Sequence, residues 1–272
     1  MKLSVTILGC GSSVGVPRIG NEWGVCDPEE PKNRRLRCSV LVNLENKGGR
    51  TSVLIDTGPD LRQQLLSVDV KKLDAVLYTH PHADHLHGID DLRSLMVSSK
   101  KSIPVFMDAN TFERAKSAFG YCFKQGKCTE RPPIVQHTLI EPERMITVNG
   151  DGGAISFEPI YVQHGDIMAL GFRFSGIAYL PDVSSIPNCV LERLKALEYL
   201  ILDCLRRKPH PSHFNLEKAL EVSTILQPKS SIFTNLHDDL DYQTLCRELP
   251  AGIIPAYDGM KIEISLLEQY RL

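Results

Sequence analysis

Residues 75–93 read Ala75-Val76-Leu77-Tyr78-Thr79-His80-Pro81-His82-Ala83-Asp84-His85-Leu86-His87-Gly88-Ile89-Asp90-Asp91-Leu92-Arg93. The stretch opens on an apolar run, Ala75 to Tyr78, with the length and composition of a buried strand. Pro81 and Gly88 then break regular structure on either side of a polar cluster. His80, His82, Asp84 and His85 fall within six positions, so imidazoles and a carboxylate gather on a loop leaving a strand end. Four of the nine histidines lie between positions 80 and 87. Imidazole suits zinc, iron and other borderline divalent metals, and the carboxylate widens the choice toward manganese. A polar loop that merely contains histidines is the competing interpretation, and the density of ligand types weighs against it. His87 stands beside the cluster and is read as a bystander.

The spacing His-x-His-x-Asp-His, at His80, His82, Asp84 and His85, resembles the metal signature of the metallo-β-lactamase superfamily. The continuation Gly88 to Arg93 narrows the resemblance, as does the opening Leu8-Gly9-Cys10-Gly11-Ser12-Ser13-Val14-Gly15-Val16-Pro17. Together they resemble the branch that contains the phosphoribosyl cyclic phosphodiesterase of phosphonate breakdown. The resemblance implies an α/β (α+β) fold of four αββα layers, two mixed sheets sandwiched between helices. It also implies two divalent metal ions, Mn2+ or Zn2+, with iron permitted by the His/Asp donor set. By motif position, His80, His82 and His164 would hold the first ion. Asp84, His85 and His237 would hold the second, and Asp182 would bridge. A lone histidine at a strand end, such as His164 or His237, reads equally well as a satisfied loop residue until the cluster is considered. Asp56, in Asp56-Thr57-Gly58, matches an aspartate that hydrogen-bonds a ligand histidine from behind; on spacing alone it is as much a turn aspartate.

Two metals roughly 3.5–4 Å apart can hold a shared hydroxide near neutral pH and clamp a phosphodiester. The resemblance therefore implies a phosphodiesterase acting on a small cyclic or nucleotide-like phosphodiester, with Asp84 and His213 at the catalytic centre. His213, in Ser212-His213-Phe214-Asn215, matches a histidine-asparagine element and is assigned as general acid or phosphate donor. Asn215 is a helix-capping residue whose helix N-terminus offers donors to a substrate phosphate. His210 is a weaker competitor for the acid's role. Asp90, Asp91 and Arg93 are read as structural. The same branch carries a structural zinc on a cysteine cluster and on a histidine three residues after the last catalytic ligand. Here only Cys26 and Cys38 are available and the histidine's position holds Leu240, so no such zinc is expected. Alternatives are a same-fold lactone or thioester hydrolase, an RNA 3′-end nuclease, and a non-catalytic metal-stabilised binding protein.

The rest of the chain is consistent with one domain over residues 1–272. Hydrophobic residues make up 42% and charged residues 24%, and the net charge of −2 supplies no global field for nucleic acid. Nucleic acid is therefore not an expected partner, and a homodimer is. The eight cysteines are scattered without a Cys-x-x-Cys pair and read as reduced, buried thiols of a cytoplasmic protein. No apolar run approaches the roughly 20 residues needed to span a bilayer.

Alternation predicts strands at Lys2–Leu8, Ser39–Leu44, Ser52–Ile55, Ile103–Met107, Ile155–Val162, Tyr199–Leu202, Ser231–Thr234 and Lys261–Ile264, with a hairpin over Ala169–Phe174 and Gly176–Leu180. Helices are expected from Pro59 with a Leu61, Leu65, Leu66 stripe, over Leu92–Val97, Thr111–Phe119, Leu191–Leu197 and Tyr242–Leu249, and after Asn215. Cys122–Pro133 reads as a loop. The basic stretch Arg18–Arg37 reads as a solvated surface loop, with phosphate contact as the alternative.

Overall fold

The computed structural model describes residues 1–125 and 132–265, so half of the expected Cys122–Pro133 loop, with Cys128, lies outside the described residues. The first sheet contains β1 (Lys2–Gly9), β2 (Ser39–Asn46), β3 (Gly49–Ile55), β4 (Ala75–Leu77), β5 (Ile103–Met107) and β6 (Val135–Leu139). The second contains β7 (Ile146–Gly150), β8 (Gly153–His164), β9 (Ile167–Phe174), β10 (Ile177–Leu180), β11 (Tyr199–Asp203), β12 (Ser230–Thr234) and β13 (Ile253–Pro255). The chain then returns to the first sheet as β14 (Lys261–Ser265), beside β1. The strand orders are β14-β1-β2-β3-β4-β5-β6 and β13-β12-β11-β10-β9-β8-β7. In each sheet an antiparallel half passes into a parallel half: β3 to β6 are parallel in the first, β10 to β13 in the second.

Period-2 alternation explains the layering. Val5, Ile7, Val40, Val42, Val53 and Ile55 face the second sheet, where Phe157, Phe172, Tyr179 and Ile201 meet them. On the far face of the first sheet Leu41, Leu54, Val76 and Val105 pack under α1 (Leu61–Ser67), α3 (Arg93–Ser99) and α4 (Ala109–Phe119). On the far face of the second, Leu180, Leu200, Leu202 and Phe233 pack under α5 (Asn188–Arg193), α6 (Leu216–Leu226) and α7 (Tyr242–Glu248). Three apolar interfaces thus define four layers, αββα, as the resemblance implies. Each fully buried large side chain there contributes about 1.5–3 kcal/mol by leaving water.

Three expectations need correction. In α1, Leu61 is buried and Leu65 packs beside it, but Leu66 is exposed, because position i+5 leaves the face that i and i+4 share. The helix expected over Leu191–Leu197 is α5, which begins after Pro187 and ends at Arg193. The helix is capped at Leu194, whose N–H donates to Leu191 O, and Leu194 and Leu197 are buried from the turn that follows. Of the seven described cysteines, Cys189 and Cys246 are exposed, against the expectation of buried thiols. Simple alternation also leaves β6, β7 and β13 unmarked. All three are sheet edges, where one face and one flank meet solvent and the apolar signal weakens. No helix among the described residues is long and apolar enough to cross a membrane.

Candidate metal centre

The strand ends of both sheets meet at one rim. From the first sheet, β3 runs into Asp56 and β4 into Thr79-His80, after which a turn leads to α2 (Ala83–Leu86) carrying Asp84 and His85. Asp56 is fully buried with a φ of 66°, a conformation that aspartate tolerates better than most residues. Its Oδ1 accepts from Thr79 N at 2.8 Å, and its Oδ2 accepts from Thr79 Oγ1 at 2.8 Å and faces His85 Nδ1 at 2.7 Å. Asp56 thus takes the position behind His85 that its motif suggested. The two loops also touch through backbone alone. Thr57 N donates to His85 O at 2.8 Å, and Gly88 N to Thr57 O at 2.7 Å. A Cβ on Gly58 would stand 2.2 Å from Asp84 O, and one on Gly88 2.2 Å from Gly58 O, so glycine is required at both.

The second sheet contributes its residues singly. His164 ends β8, Asp182 follows β10, Asp203 ends β11, and Asn235 and His237 follow β12. His164 Nδ1 lies 2.6 Å from Ser212 O, which assigns the proton to Nδ1 and leaves Nε2 with a lone pair. His213 Nδ1 is 2.8 Å from Asp203 Oδ2. Asn235 Nδ2 donates to Asp203 Oδ1 at 3.1 Å and to Asp182 Oδ1 at 3.4 Å, tying the two carboxylates together.

The donor atoms converge on two foci. His82 Nδ1 lies 2.9 Å from His80 Nε2 and 3.2 Å from His164 Nε2. His85 Nε2 lies 3.0 Å from Asp182 Oδ2 and 3.4 Å from Asp84 Oδ2. Asp182 links them, its Oδ1 being 3.9 Å from His164 Nε2. Donor atoms of His80, His82 and His164, of His80, His85 and Asp182, and of His164, Asp182 and His213 lie within 4.8 Å of one another in each set. Burial holds the pKa of His80 well below the usual imidazole value and lowers that of His164, so both rings are neutral. His82 Nδ1 faces both His80 Nε2 and His164 Nε2, and one ring proton on it cannot serve both contacts well, whereas a cation between the three nitrogens would. Asp182 Oδ2, moreover, is buried without a hydrogen bond. The residues therefore fit a divalent cation. Burial opposes a charged His213, yet Asp203 and then Asp182 hold its pKa up at about 9. Asp203 itself is pushed by burial to about 6, against the pull of His213.

Not every expected residue joins the cluster. His237 lies outside the three sets; it is partly exposed, with Nδ1 2.7 Å from Asp238 Oδ1. Asn215 caps α6 by accepting from Lys218 N at 3.1 Å and donates to Arg207 O at 3.2 Å. Its amide is thereby engaged with backbone around the His213 loop, in the capping role expected of it. His210 Nδ1 faces Ser212 N at 3.3 Å, and His87 packs edge-on against Phe119. Arg93 pairs with Asp90 on the surface.

Arg18–Arg37 is not simply a solvated loop, because Arg35 is among the largest fully buried side chains. Asp203, Asn235, Thr79 and Arg35 all escape a reading of motifs. An aspartate ending an apolar strand was the only signal for Asp203, and nothing local distinguishes Arg35 from its basic neighbours.

The chain belongs to the beta-lactamase superfamily, whose domain model matches residues 51–235. More particularly, it is similar over nearly its whole length to a crystal structure described as a new diphosphatase from the PhnP family. The two share 39% identity and a TM-score of 0.86, covering 97% of this chain and 98% of that one. Human tRNase Z, short form, shares the fold at 17% identity and a TM-score of 0.64, covering 97% of this chain and 100% of that one. An octanoyltransferase of Porphyromonas gingivalis is 32% identical over 95% of this chain but 51% of its own length. The chain thus spans about half the length of that curated relative.

Proposed function

We propose that the chain is a metal-dependent hydrolase that cleaves a P–O bond of a small phosphodiester or diphosphate, cyclic or nucleotide-like, with two divalent ions in its centre. The observation that carries this reading is the placement of His213. It stands beside the ligand cluster, its ring centroid 4.6 Å from that of His164, with Nδ1 committed to Asp203. Nε2 is then the nitrogen that can hand a proton to a departing oxygen. Its carboxylate partner keeps the imidazole in one orientation and stabilises its charged form.

His80, His82 and His164 would hold one ion and His85 and Asp84 the other, with His237 completing the second set. Asp182 presents Oδ1 toward His164 and Oδ2 toward His85, which supports a bridging role. Bound Mn2+ or Zn2+ would supply Lewis acidity toward phosphoryl oxygen and water. The protein's own part is to fix donor lone pairs through Asp56, Thr79 and Ser212 O, and to deliver the leaving-group proton through His213. The likeness to a PhnP-family diphosphatase supports phosphorus over carbon as the reacting centre.

The test is hydrolysis of bis(p-nitrophenyl) phosphate by metal-stripped protein reloaded with Mn2+ or Zn2+, for wild type and His213→Ala. Metal should restore turnover, and the substitution should remove most of it with bound metal unchanged. A fully loaded wild type inert toward this diester and toward diphosphates, yet active on lactones or thioesters, would overturn the reading.

A further inference from the structure

Arg35 is 1% exposed and makes no ion pair among the described contacts. Its guanidinium instead donates to backbone carbonyls, an amide oxygen and a thiol sulfur. Nη1 reaches His237 O at 3.0 Å and Cys26 Sγ at 3.9 Å; Nη2 reaches Leu240 O at 2.7 Å and Asn33 Oδ1 at 3.1 Å. Its own backbone is held by Val16 on both sides, N donating to Val16 O at 2.8 Å and O accepting from Val16 N at 3.0 Å. The anchor is therefore rigid before the side chain begins.

The turn it grips runs from His237 to Leu240, with Leu240 N donating to His237 O at 3.2 Å. The carbonyl of Asp238, between the two that Arg35 holds, accepts from Val25 N at 2.9 Å and Cys26 Sγ at 3.4 Å. The Asp238 carboxylate pairs with Arg18 Nε at 2.8 Å and faces His237 Nδ1. His237 N in turn donates to Leu205 O at 2.9 Å. Thus the basic stretch encloses one turn, and that turn carries the single histidine following β12. A buried guanidinium costs several kcal/mol of desolvation, which the turn's carbonyl dipoles must offset. A planar fork holds two carbonyls of one turn in a fixed geometry, whereas an ammonium offers rotatable donors around a single point.

We propose that Arg35 is the positioning residue for His237, a fixed organic cation that shapes the turn presenting this imidazole to the second metal ion. The inference rests on the dinuclear reading above and extends it to a residue outside the ligand set. It also gives the basic stretch a role that is neither solvation nor phosphate contact.

The experiment is Zn2+ binding to metal-stripped full-length chain, followed by calorimetry and by metal content after dialysis. Wild type, His237→Ala, Arg35→Met and Arg35→Lys are compared, with near-UV circular dichroism as the check on fold. Wild type should take two equivalents. Arg35→Met should keep the first and bind the second about 10–100-fold more weakly, the scale expected when support behind a ligand is lost, and so follow His237→Ala. Should Arg35→Met fail to fold, Arg35→Lys decides, with an intermediate weakening of the second equivalent alone. An Arg35 variant that binds both equivalents as wild type does, or that loses both equally, would overturn the positioning role. A wild type taking one equivalent would instead overturn the dinuclear reading itself.

Discussion

The two sheets furnish the rim in contrasting ways. The first sheet delivers His80, His82, Asp84 and His85 on one continuous stretch from β4 through α2, with Thr79 behind His80 and Asp56 behind His85. The second delivers His164, Asp182, His213 and His237 from four separate loops, each with its own support: Ser212 O, Asn235, Asp203 and the Arg35 turn. A contiguous set shares one backbone, and its two supports, Asp56 and Thr79, are bonded to each other. A dispersed set needs an anchor for every member, and those anchors come from distant parts of the chain. The first arrangement concentrates risk at one place, and the second spreads it.

The contrast can be tested by substitution, starting with the contiguous side. His80→Ala removes a residue common to two of the three donor sets, and both metal content and turnover should fall to background, measured by elemental analysis and diester hydrolysis. A variant that kept two ions would show that the contiguous set is dispensable. On the dispersed side, His213→Ala should lower kcat by roughly two to four orders of magnitude, the usual worth of a positioned acid, with metal content intact. Parallel loss of metal would make His213 a ligand instead. Asp56→Asn tests the shared anchor and should weaken metal binding about 10–100-fold, read by titration against a chelator.

A further effect, on stability and not on metal binding or turnover, concerns the seam between the two sides. Asp258, on the way from β13 back to β14, accepts from Cys10 N at 3.0 Å and Leu36 N at 2.7 Å. Burial pushes its carboxyl up to about 7, whereas an unfolded chain leaves it near the ordinary aspartate value. The native state therefore holds the proton more tightly. Stability from this group is complete at pH values below about 4 and is lost as pH rises to about 7. Its slope is at most about 1.4 kcal/mol per pH unit. Urea unfolding of metal-stripped protein across this range should show the decline, and Asp258→Asn should flatten it. Equal slopes in both proteins would remove Asp258 from the account.

The same contrast governs what could be read from the sequence. The contiguous candidate donors are legible because loop, spacing and donor type coincide within a few residues. His164, Asp182 and His237 are single residues at strand ends, and only the family likeness singles them out. Their supports carry no local mark at all. Arg35 differs from Arg34 and Arg37 in burial, a tertiary fact, and Asp203 acquires meaning from His213 ten positions later. Layer order follows from alternation in the inner strands, where two faces are covered. It fades at β6, β7 and β13, where solvent replaces a neighbour and selection on side-chain polarity relaxes.

The glycine contact between residues 56–58 and 84–88 has a further consequence for inheritance and design. The two backbones touch directly, and the Asp56 and Thr57 side chains reach His85 and Leu86 O across the same contact, so the loops behave as a single unit of exchange. Grafting the histidine loop onto another scaffold without its aspartate-glycine companion would transfer the ligands but not the surface that shapes them. Drift in one loop is similarly tolerated only when its companion moves with it.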